Sequence, residues 1–140
     1  MIIADAGFFY ALVDRRDAWH RRAVAALDTQ IEGWITTWPV LTEATHLLNR
    51  WINPAAAQAL VREVADGAVL VWDWPPAQTV RLAHLMQRYA SLPMDLADAS
   101  LVLLAEHLGH GRILTTDERD FGAYRFKSQQ PFENLLAASA

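Results

Sequence analysis

One stretch near the middle of the chain constrains the fold most, because it predicts a helix with almost no polar side. Residues 93–106 read PMDLADASLVLLAE. The apolar side chains surround this helix instead of forming a single stripe: Leu96, Leu101, Val102, Leu103, Leu104 and Leu108. A helix that is apolar all the way round has to be covered all the way round. We therefore expect it at the centre of a layered domain.

Four short apolar runs read as buried strands, and helical segments separate them. The predicted strands are residues 1–4, 33–37, 68–72 and 112–115,. Thr37 and Pro39 are expected to open the helix after the second strand. The alternation predicts an α/β fold, a three-layer α/β/α domain around a mainly parallel sheet. A polar turn is predicted over residues 116–122 and a last edge strand over residues 124–126.

Length and composition favour one globular domain that spans residues 1–140, with a weakly ordered tail from about residue 128. The chain is 53% hydrophobic and 20% charged, which is a balance typical of folded proteins. No apolar run approaches the ~20 residues needed to span a bilayer. Asp5 interrupts the first apolar run, which therefore does not look like a signal peptide. We expect a cytoplasmic protein with no membrane partner.

Acidic residues follow two of the predicted strands and begin the central helix. Asp5 ends the first strand, and Asp117 and Asp120 follow the fourth. Asp95 and Asp98 are three residues apart and share one face of the central helix. Parallel strands end at a common sheet edge, where α/β proteins place their ligands, so these acids can converge. Taken singly, each acid is explained equally well as a helix cap.

A further acid, Glu43, lies on the helix after the second strand, at the edge of its apolar stripe. A carboxylate in that position must be paired, hydrated or bound to a metal. Carboxylates at close range repel one another, and their pKa values rise unless cations hold them. The chain has no cysteine, and oxygen ligands alone favour Mg²⁺ or Mn²⁺. Water on such an ion can attack a phosphodiester.

The net charge of the chain is −4, whereas a protein that binds nucleic acid through charge alone is usually basic. A divalent cation bound by the acids would offset their negative charge at the site where nucleic acid is contacted. Four arginines cluster around the start of the second helix: Arg15, Arg16, Arg21 and Arg22. We interpret them as a solvated surface in preference to a patch that contacts phosphates.

The ordered set of motifs resembles the PIN-domain nucleases, and among them the VapC-type toxins of toxin–antitoxin pairs. Asp5 follows a short strand, Glu43 lies in the helix that Pro39 opens, and Asp98 lies in the segment LADASL. The fourth motif is TxDxxDF, which begins at Thr115. The resemblance covers nearly the whole chain. It departs from the common pattern at Ala6, where many relatives have Ser or Thr, so the expected site loses one hydroxyl.

The resemblance implies a metal-dependent endoribonuclease with four catalytic acids: Asp5, Glu43, Asp98 and Asp117. Three of these are the implied ligands of a Mg²⁺ or Mn²⁺ ion: Asp5, Asp98 and Asp117. Auxiliary roles are assigned to three more residues: Thr115, Asp120 and Asp95. Thr115 would orient the site by hydrogen bonding, and Asp120 would be an auxiliary acid or structural. Asp95 is expected to cap the central helix.

The resemblance also implies partners: an RNA substrate, a second copy of the chain in a homodimer, and a small antitoxin protein. A segment of the antitoxin fills the active groove in such pairs, and an Arg of that segment often reaches the acids. Two alternatives stand beside this hypothesis. One is a non-catalytic PIN-like binding module whose acids hold a cation or a partner's Arg, and the other is a nuclease that acts on DNA flaps.

Overall fold

A parallel sheet lies at the centre of the computed structural model, which describes residues 1–127 and 129–137. The first four strands are β1 (Ile2–Ala4), β2 (Trp34–Thr36), β3 (Val69–Val71) and β4 (Arg112–Leu114). Two short strands, β5 (Arg125–Phe126) and β6 (Gln130–Pro131), form a separate antiparallel pair. The last strand, β7 (Glu133–Asn134), returns to the main sheet. The sheet order is β3-β2-β1-β4-β7, and all its pairings are parallel.

Helices flank this sheet and alternate with its strands. The helices are α1 (Ala6–Val13), α2 (His20–Thr29), α3 (Trp38–Trp51), α4 (Pro54–Ala65), α5 (Thr79–Arg88), α6 (Leu96–Leu108) and α7 (Glu118–Ala123). A 3₁₀ turn over Pro76–Gln78 precedes α5. The predicted α/β/α architecture with a parallel sheet is confirmed. None of the described helices combines the length and the apolar character that crossing a lipid bilayer requires.

The central helix is α6, as its sequence predicted. Eight of its 13 residues are buried: Ala97, Ala99, Ser100, Leu101, Val102, Leu103, Leu104 and Ala105. The helix packs against α3, α5 and β1, and Gly109 ends it with a left-handed backbone at φ 81°,. Burial on several sides explains why the helix needs apolar residues all the way round.

A buried pair of hydroxyls joins α6 to the start of α3. Thr37 was predicted to cap α3, and it does stand at the N-cap position, but its side chain makes no capping hydrogen bond. Instead its Oγ1 lies 2.6 Å from Oγ of Ser100, and both residues are fully buried. Ser100 also donates to the carbonyl of Ala97 at 2.7 Å. Thr37 thus contacts Ser100, a residue far away in the sequence, instead of capping its own helix. The local sequence does not reveal such a contact.

The order of the strands places a topological switch between β1 and β4. The chain proceeds from β1 to β2 and β3 on one side, and then places β4 and β7 on the other side of β1. The backbone N–H of Asp5 donates to Leu114 at 3.1 Å, so the carboxyl ends of β1 and β4 lie side by side. In open α/β sheets this is the position where ligands bind.

The region after β4 differs from the sequence prediction in three respects. Residues 116–122 were expected to form a polar turn, yet α7 occupies most of this segment. The strand predicted over residues 124–126 belongs to the small β5–β6 pair instead of the edge of the main sheet. That edge is β7, in the part of the tail expected to be weakly ordered, and Leu136 beyond it is fully buried. Residues 128 and 138–140 of the predicted tail lie outside the described residues.

The arginines at the start of α2 are arranged as a solvated surface would be. Arg15, Arg16 and Arg21 are exposed. The guanidinium of Arg22 lies over the ring of Trp19, with 4.8 Å between its central carbon and the ring centroid. In such a cation–π contact the charged guanidinium packs on the aromatic face, and the charge needs no acidic partner.

Candidate active site

Three helices begin at the carboxyl edge of the sheet, and an aspartate caps each of them. Asp5 accepts a hydrogen bond from the N–H of Ala6 at 2.8 Å at the start of α1. Asp95 accepts from the N–H of Asp98 at 2.8 Å at the start of α6, as predicted. Asp117 caps α7 in the same way, through the N–H of Asp120 at 3.0 Å. The positive ends of these helices favour carboxylates at this edge.

A buried threonine connects the acids that follow β1 and β4. The hydroxyl of Thr115 donates to Oδ2 of Asp5 at 2.7 Å and accepts from the backbone N–H of Asp117 at 3.0 Å. Thr115 is fully buried, and Asp5 is 7% exposed. The Thr115 hydroxyl therefore holds one carboxylate and the backbone of the residue that carries the next.

Three carboxylates gather beside this threonine. Asp98, Asp117 and Asp120 each offer an oxygen, and these oxygens lie within 4.8 Å of one another. Oδ1 of Asp120 is buried, and no described residue donates a hydrogen bond to it. The Nε of Arg119 lies 3.4 Å from that oxygen, but the arginine side chain is 79% exposed. A buried carboxylate oxygen without a donor, inside a set of three acids, fits a divalent cation.

A tyrosine approaches the same acids from the side of α7. The hydroxyl of Tyr124 donates to Oδ2 of Asp98 at 2.8 Å. Its ring is fully buried and lies edge-on to the rings of Tyr89 and Phe121, with centroid distances of 5.1 and 5.0 Å. In the sequence Tyr124 looked like part of an edge strand, and its spacing gave no sign of this contact with Asp98.

An open groove of about 740 Å³ adjoins the acids. Glu43 and Asp95 lie on its wall, and the rest of the lining is largely apolar and aromatic. Trp38 is 54% exposed and Leu96 is 44% exposed, and Trp74 also lines the groove. Exposed apolar side chains in one groove beside a charged site are typical of a binding surface.

Comparison with known proteins agrees with this arrangement. The sequence model that describes the PIN domain matches residues 2–127, which is nearly the whole chain and contains all of the acids described above. The chain belongs to the PIN-domain family. The resemblance inferred from the motifs is therefore confirmed.

Two mycobacterial proteins are similar to this PIN domain. Ribonuclease VapC26 of Mycobacterium tuberculosis is 27% identical over 124 residues, which cover 89% of this chain and 92% of the relative. The crystal structure of Mycobacterium tuberculosis VapC20, described as a sarcin-ricin loop cleaving toxin, superimposes with a TM-score of 0.78. That likeness covers 85% of this chain and 92% of the other at 22% identity, and it supports the fold.

Burial, and to a smaller extent the charges of neighbouring acids, raises the pKa values of the most enclosed carboxyls in this PIN domain. Burial raises the pKa of Asp5 to about 6, although the hydrogen bonds from Thr115 and Ala6 oppose the rise. Burial raises the pKa of Asp98 to about 8, and the negative charge of Asp5 adds to the effect, while the Tyr124 hydroxyl opposes it. The protein alone therefore holds protons at the site near neutral pH, where a cation would displace them.

Burial and neighbouring charges also raise the pKa values of Glu43 and Asp117. Loss of water around its carboxylate raises the pKa of Glu43 to about 7, and the charges of Asp5, Asp95 and Asp117 add to the rise. Glu43 is otherwise an exposed side chain. The pKa of Asp117 is also raised, mainly by burial and also by neighbouring Asp120. The negative charges of the other acids thus affect the pKa of Glu43, although its side chain is accessible to water.

The structure brings most of the predicted site residues into one place. Its closest set of acids includes Asp120, which the sequence analysis treated as auxiliary, beside Asp98 and Asp117. Asp5, a predicted metal ligand, lies outside that set of three and is joined to it through Thr115. Which of these acids coordinate an ion stays a prediction.

Proposed function

We propose that this PIN domain is a metal-dependent endoribonuclease that hydrolyses RNA phosphodiesters and acts as the toxin of a type II toxin–antitoxin pair. The observation that carries the proposal is the oxygen cluster of Asp98, Asp117 and Asp120, with a buried Asp120 oxygen to which no described residue donates a hydrogen bond. The ribonuclease name of VapC26 and the toxin title of VapC20 support RNA as the substrate.

The acids of this chain would hold Mg²⁺ or Mn²⁺ at the end of β4. Asp98, Asp117 and Asp120 offer the oxygens, and Asp5 contributes its charge beside them. When bound, such a cation neutralises charge on phosphate oxygens and lowers the pKa of water. Thr115 keeps the Asp5 carboxylate in one orientation through its 2.7 Å hydrogen bond.

Glu43 is the acid best suited to take a proton. It is exposed at the groove, and its pKa is raised to about 7. A general base works best when its pKa lies near the working pH. We assign Glu43 Oε the proton of the attacking water, which leaves the other acids free to hold the cation.

Cleavage of RNA by the purified protein tests the proposal. We expect discrete cuts with Mg²⁺ or Mn²⁺ that disappear in EDTA and in the Asp98→Asn variant. Asp28→Asn is the matched control, because Asp28 is an exposed acid on α2, and we expect it to cut like the wild type. The ends of the products report the nucleophile: water leaves a 5′-phosphate and a 3′-hydroxyl.

Four outcomes would contradict the proposal. Equal cutting by wild type and Asp98→Asn would identify a contaminating nuclease. Cyclic phosphate ends would identify the ribose hydroxyl as the nucleophile. Metal binding without cleavage of any cellular RNA would favour the binding module, and cleavage of DNA flaps alone would favour the DNA nuclease.

The groove beside the acids supports an antitoxin partner. Its exposed Trp38 and Leu96 suit apolar side chains of a bound segment, and Glu43 and Asp95 on its wall suit a cation of that segment. The homodimer is proposed from the VapC resemblance alone. A small adjacent gene whose product suppresses cleavage would support the pairing, and a sedimentation measurement would test the dimer.

A further inference from the structure

Tyr124 stands out because a fully buried aromatic residue ends with its hydroxyl on an acid of the site. The hydroxyl donates to Oδ2 of Asp98 at 2.8 Å, while the residue itself is 0% exposed. The two residues belong to different elements, since Asp98 lies in the first turn of α6 and Tyr124 directly follows α7. The contact therefore joins the acid of one helix to the helix that carries Asp117 and Asp120.

The surroundings leave the Tyr124 ring little freedom. Tyr89 and Phe121 contact it edge-on with centroid distances of 5.1 and 5.0 Å. Its backbone N–H donates to the backbone carbonyl of Asp120 at 2.9 Å, which is the hydrogen bond that ends α7. Because the ring is held on both sides, the position of its hydroxyl is fixed. The direction of its hydrogen bond to Asp98 is therefore fixed in the absence of a ligand.

We propose that Tyr124 is a positioning residue for the metal site, which fixes the plane of the Asp98 carboxylate relative to Asp117 and Asp120. The carboxylate of Asp98 otherwise rotates about its terminal bond, and that torsion is broad. A hydrogen bond to one oxygen stops the rotation and orders the ligand in advance. Residues that orient metal ligands in this way commonly raise metal affinity 10- to 100-fold. The inference rests on the proposed metal-dependent function.

The Tyr124→Phe variant removes only the hydroxyl. Tyr89→Phe is the matched control, because Tyr89 is the adjacent ring and its hydroxyl accepts from the backbone N–H of Arg125 at 3.0 Å instead of contacting an acid. Calorimetric titration of the whole chain with Mn²⁺ alone, at one pH and without RNA, measures affinity directly. We expect Tyr124→Phe to bind Mn²⁺ about 10-fold more weakly than the wild type. Tyr89→Phe should bind like the wild type.

A second readout uses the wild-type chain, which contains three tyrosines: Tyr10, Tyr89 and Tyr124. With ¹³C at the phenol carbon, Mg²⁺ should shift the Tyr124 signal along the same curve as the heat of Mg²⁺ binding, measured by calorimetry on the wild type. Tyr10 is the internal reference, because its hydroxyl donates at 2.6 Å to Asp14, a carboxylate outside the cluster. Its signal should stay in place. This measurement decides the matter even where Tyr124→Phe fails to fold.

The outcomes separate this inference from the proposed function. Wild-type protein that binds no Mn²⁺ would overturn the metal site and the role of Tyr124 together. Wild type that binds Mn²⁺, with equal affinity in Tyr124→Phe, would overturn only the positioning role. A Tyr124 signal that saturating Mg²⁺ leaves unmoved, or an equal loss of affinity in Tyr89→Phe, would likewise show that the hydroxyl does not act on the site.

Discussion

Single aspartates in this protein serve as helix caps and as members of the acidic site at once. Asp5 uses Oδ1 for the N–H of Ala6 and Oδ2 for the hydroxyl of Thr115. Asp117 caps α7 with Oδ1 and still contributes an oxygen to the cluster. In the sequence the two roles looked like alternatives, because an acid before a helix has the same spacing in either case. The three-dimensional contacts show why both hold.

The hydroxyl of Thr115 can be removed with little change in the shape of the side chain, and its loss would break two hydrogen bonds of the site. The Thr115→Val substitution removes the donor to Asp5 and the acceptor for the Asp117 N–H. We expect the unfolding free energy to fall by about 1–3 kcal/mol, because buried polar groups lose their partners. We also expect Mn²⁺ affinity to fall about 10- to 100-fold. Denaturant unfolding and calorimetry on the same samples measure the two effects.

Thr36→Val is the matched control for that experiment. Thr36 is also a fully buried threonine, and its hydroxyl donates to the carbonyl of Ala4 at 2.7 Å. The control should lose stability and keep the wild-type affinity for Mn²⁺. Equal losses of affinity in the two variants would mean that Thr115 acts through general stability instead of through the acids.

Helices and strands were predicted where the residues that define them are close together in the sequence, and missed where they are far apart. α6 was predicted because its apolar residues and its cap, Asp95, lie within one short stretch. β7 was missed because it is two residues long and is defined by pairing with β4, far away in sequence. Likewise Tyr124 was taken for part of a strand, although its decisive partner, Asp98, lies 26 residues away. Contacts between distant residues produce no periodic pattern in the sequence from which they could be predicted.

The missed strand supports the site through one amide side chain. Nδ2 of Asn134 donates to the carbonyl of Thr115 at 3.0 Å, and its Oδ1 accepts from the N–H groups of Thr115 and Leu136 at 3.3 and 3.2 Å. The side chain thus closes the carboxyl end of β4, where Thr115 begins the acidic motif. This part of the tail therefore belongs to the framework that holds the backbone of Thr115.

Asn134→Ala tests this role. We expect the unfolding free energy to fall by about 1–3 kcal/mol and RNA cleavage to slow at saturating metal, because Thr115 is less well held. Asn53→Ala is the control, since Asn53 caps α4 through the N–H of Ala56 at 2.8 Å. Its loss should cost about 1 kcal/mol and leave cleavage unchanged. Equal cleavage by the two variants, at matched folded fraction, would argue against a role of β7 in the site.

At the scale of the whole molecule, the sequence predicted the layers but not the neighbours of each strand. Alternating strands and helices require a parallel sheet between helices, so the layers follow from patterning. Convergence of the acids depends on something else, namely that β1 and β4 are adjacent at the switch point. Strand order is decided by packing across the whole domain. For that reason the sequence supported convergence only through the general rule that parallel strands end at a common sheet edge.

The same convergence gives the whole protein an unusual dependence of stability on pH. The folded pKa values of Asp5, Glu43 and Asp98 are raised to about 6, 7 and 8 from ordinary values of 3.8, 4.5 and 3.8. Between pH 4 and 8 these three carboxyls bind more protons in the folded state than in the unfolded state, so their contribution to stability falls as pH rises. His110 acts in the opposite sense, because burial lowers its pKa. Glu32 also acts in the opposite sense to the three carboxyls, because its bond to Arg112 lowers its pKa to about 2. Its contribution is lost only below pH 4.5.

We expect the metal-free protein to melt at a lower temperature at pH 8 than at pH 5.5. Saturating Mg²⁺ should reverse this at pH 8, since a ligand at 100 times its dissociation constant adds about 2.7 kcal/mol of stability. The effect should be smaller at pH 5.5, where protons compete for the same oxygens. Scanning calorimetry in EDTA and in Mg²⁺ at both pH values makes the comparison.

Asp98→Asn separates the acidic cluster from every other titrating group in this measurement. The variant lacks the carboxyl whose folded pKa is raised furthest, so its metal-free melting temperature should fall less between pH 5.5 and pH 8. It should also gain little from Mg²⁺. A variant with the same pH slope as the wild type would place the dependence elsewhere in the chain. Since burial of the Asp98 carboxyl and repulsion from its neighbours both contribute to the slope, and the same carboxyl would hold the cation, the two effects should weaken together in the variant.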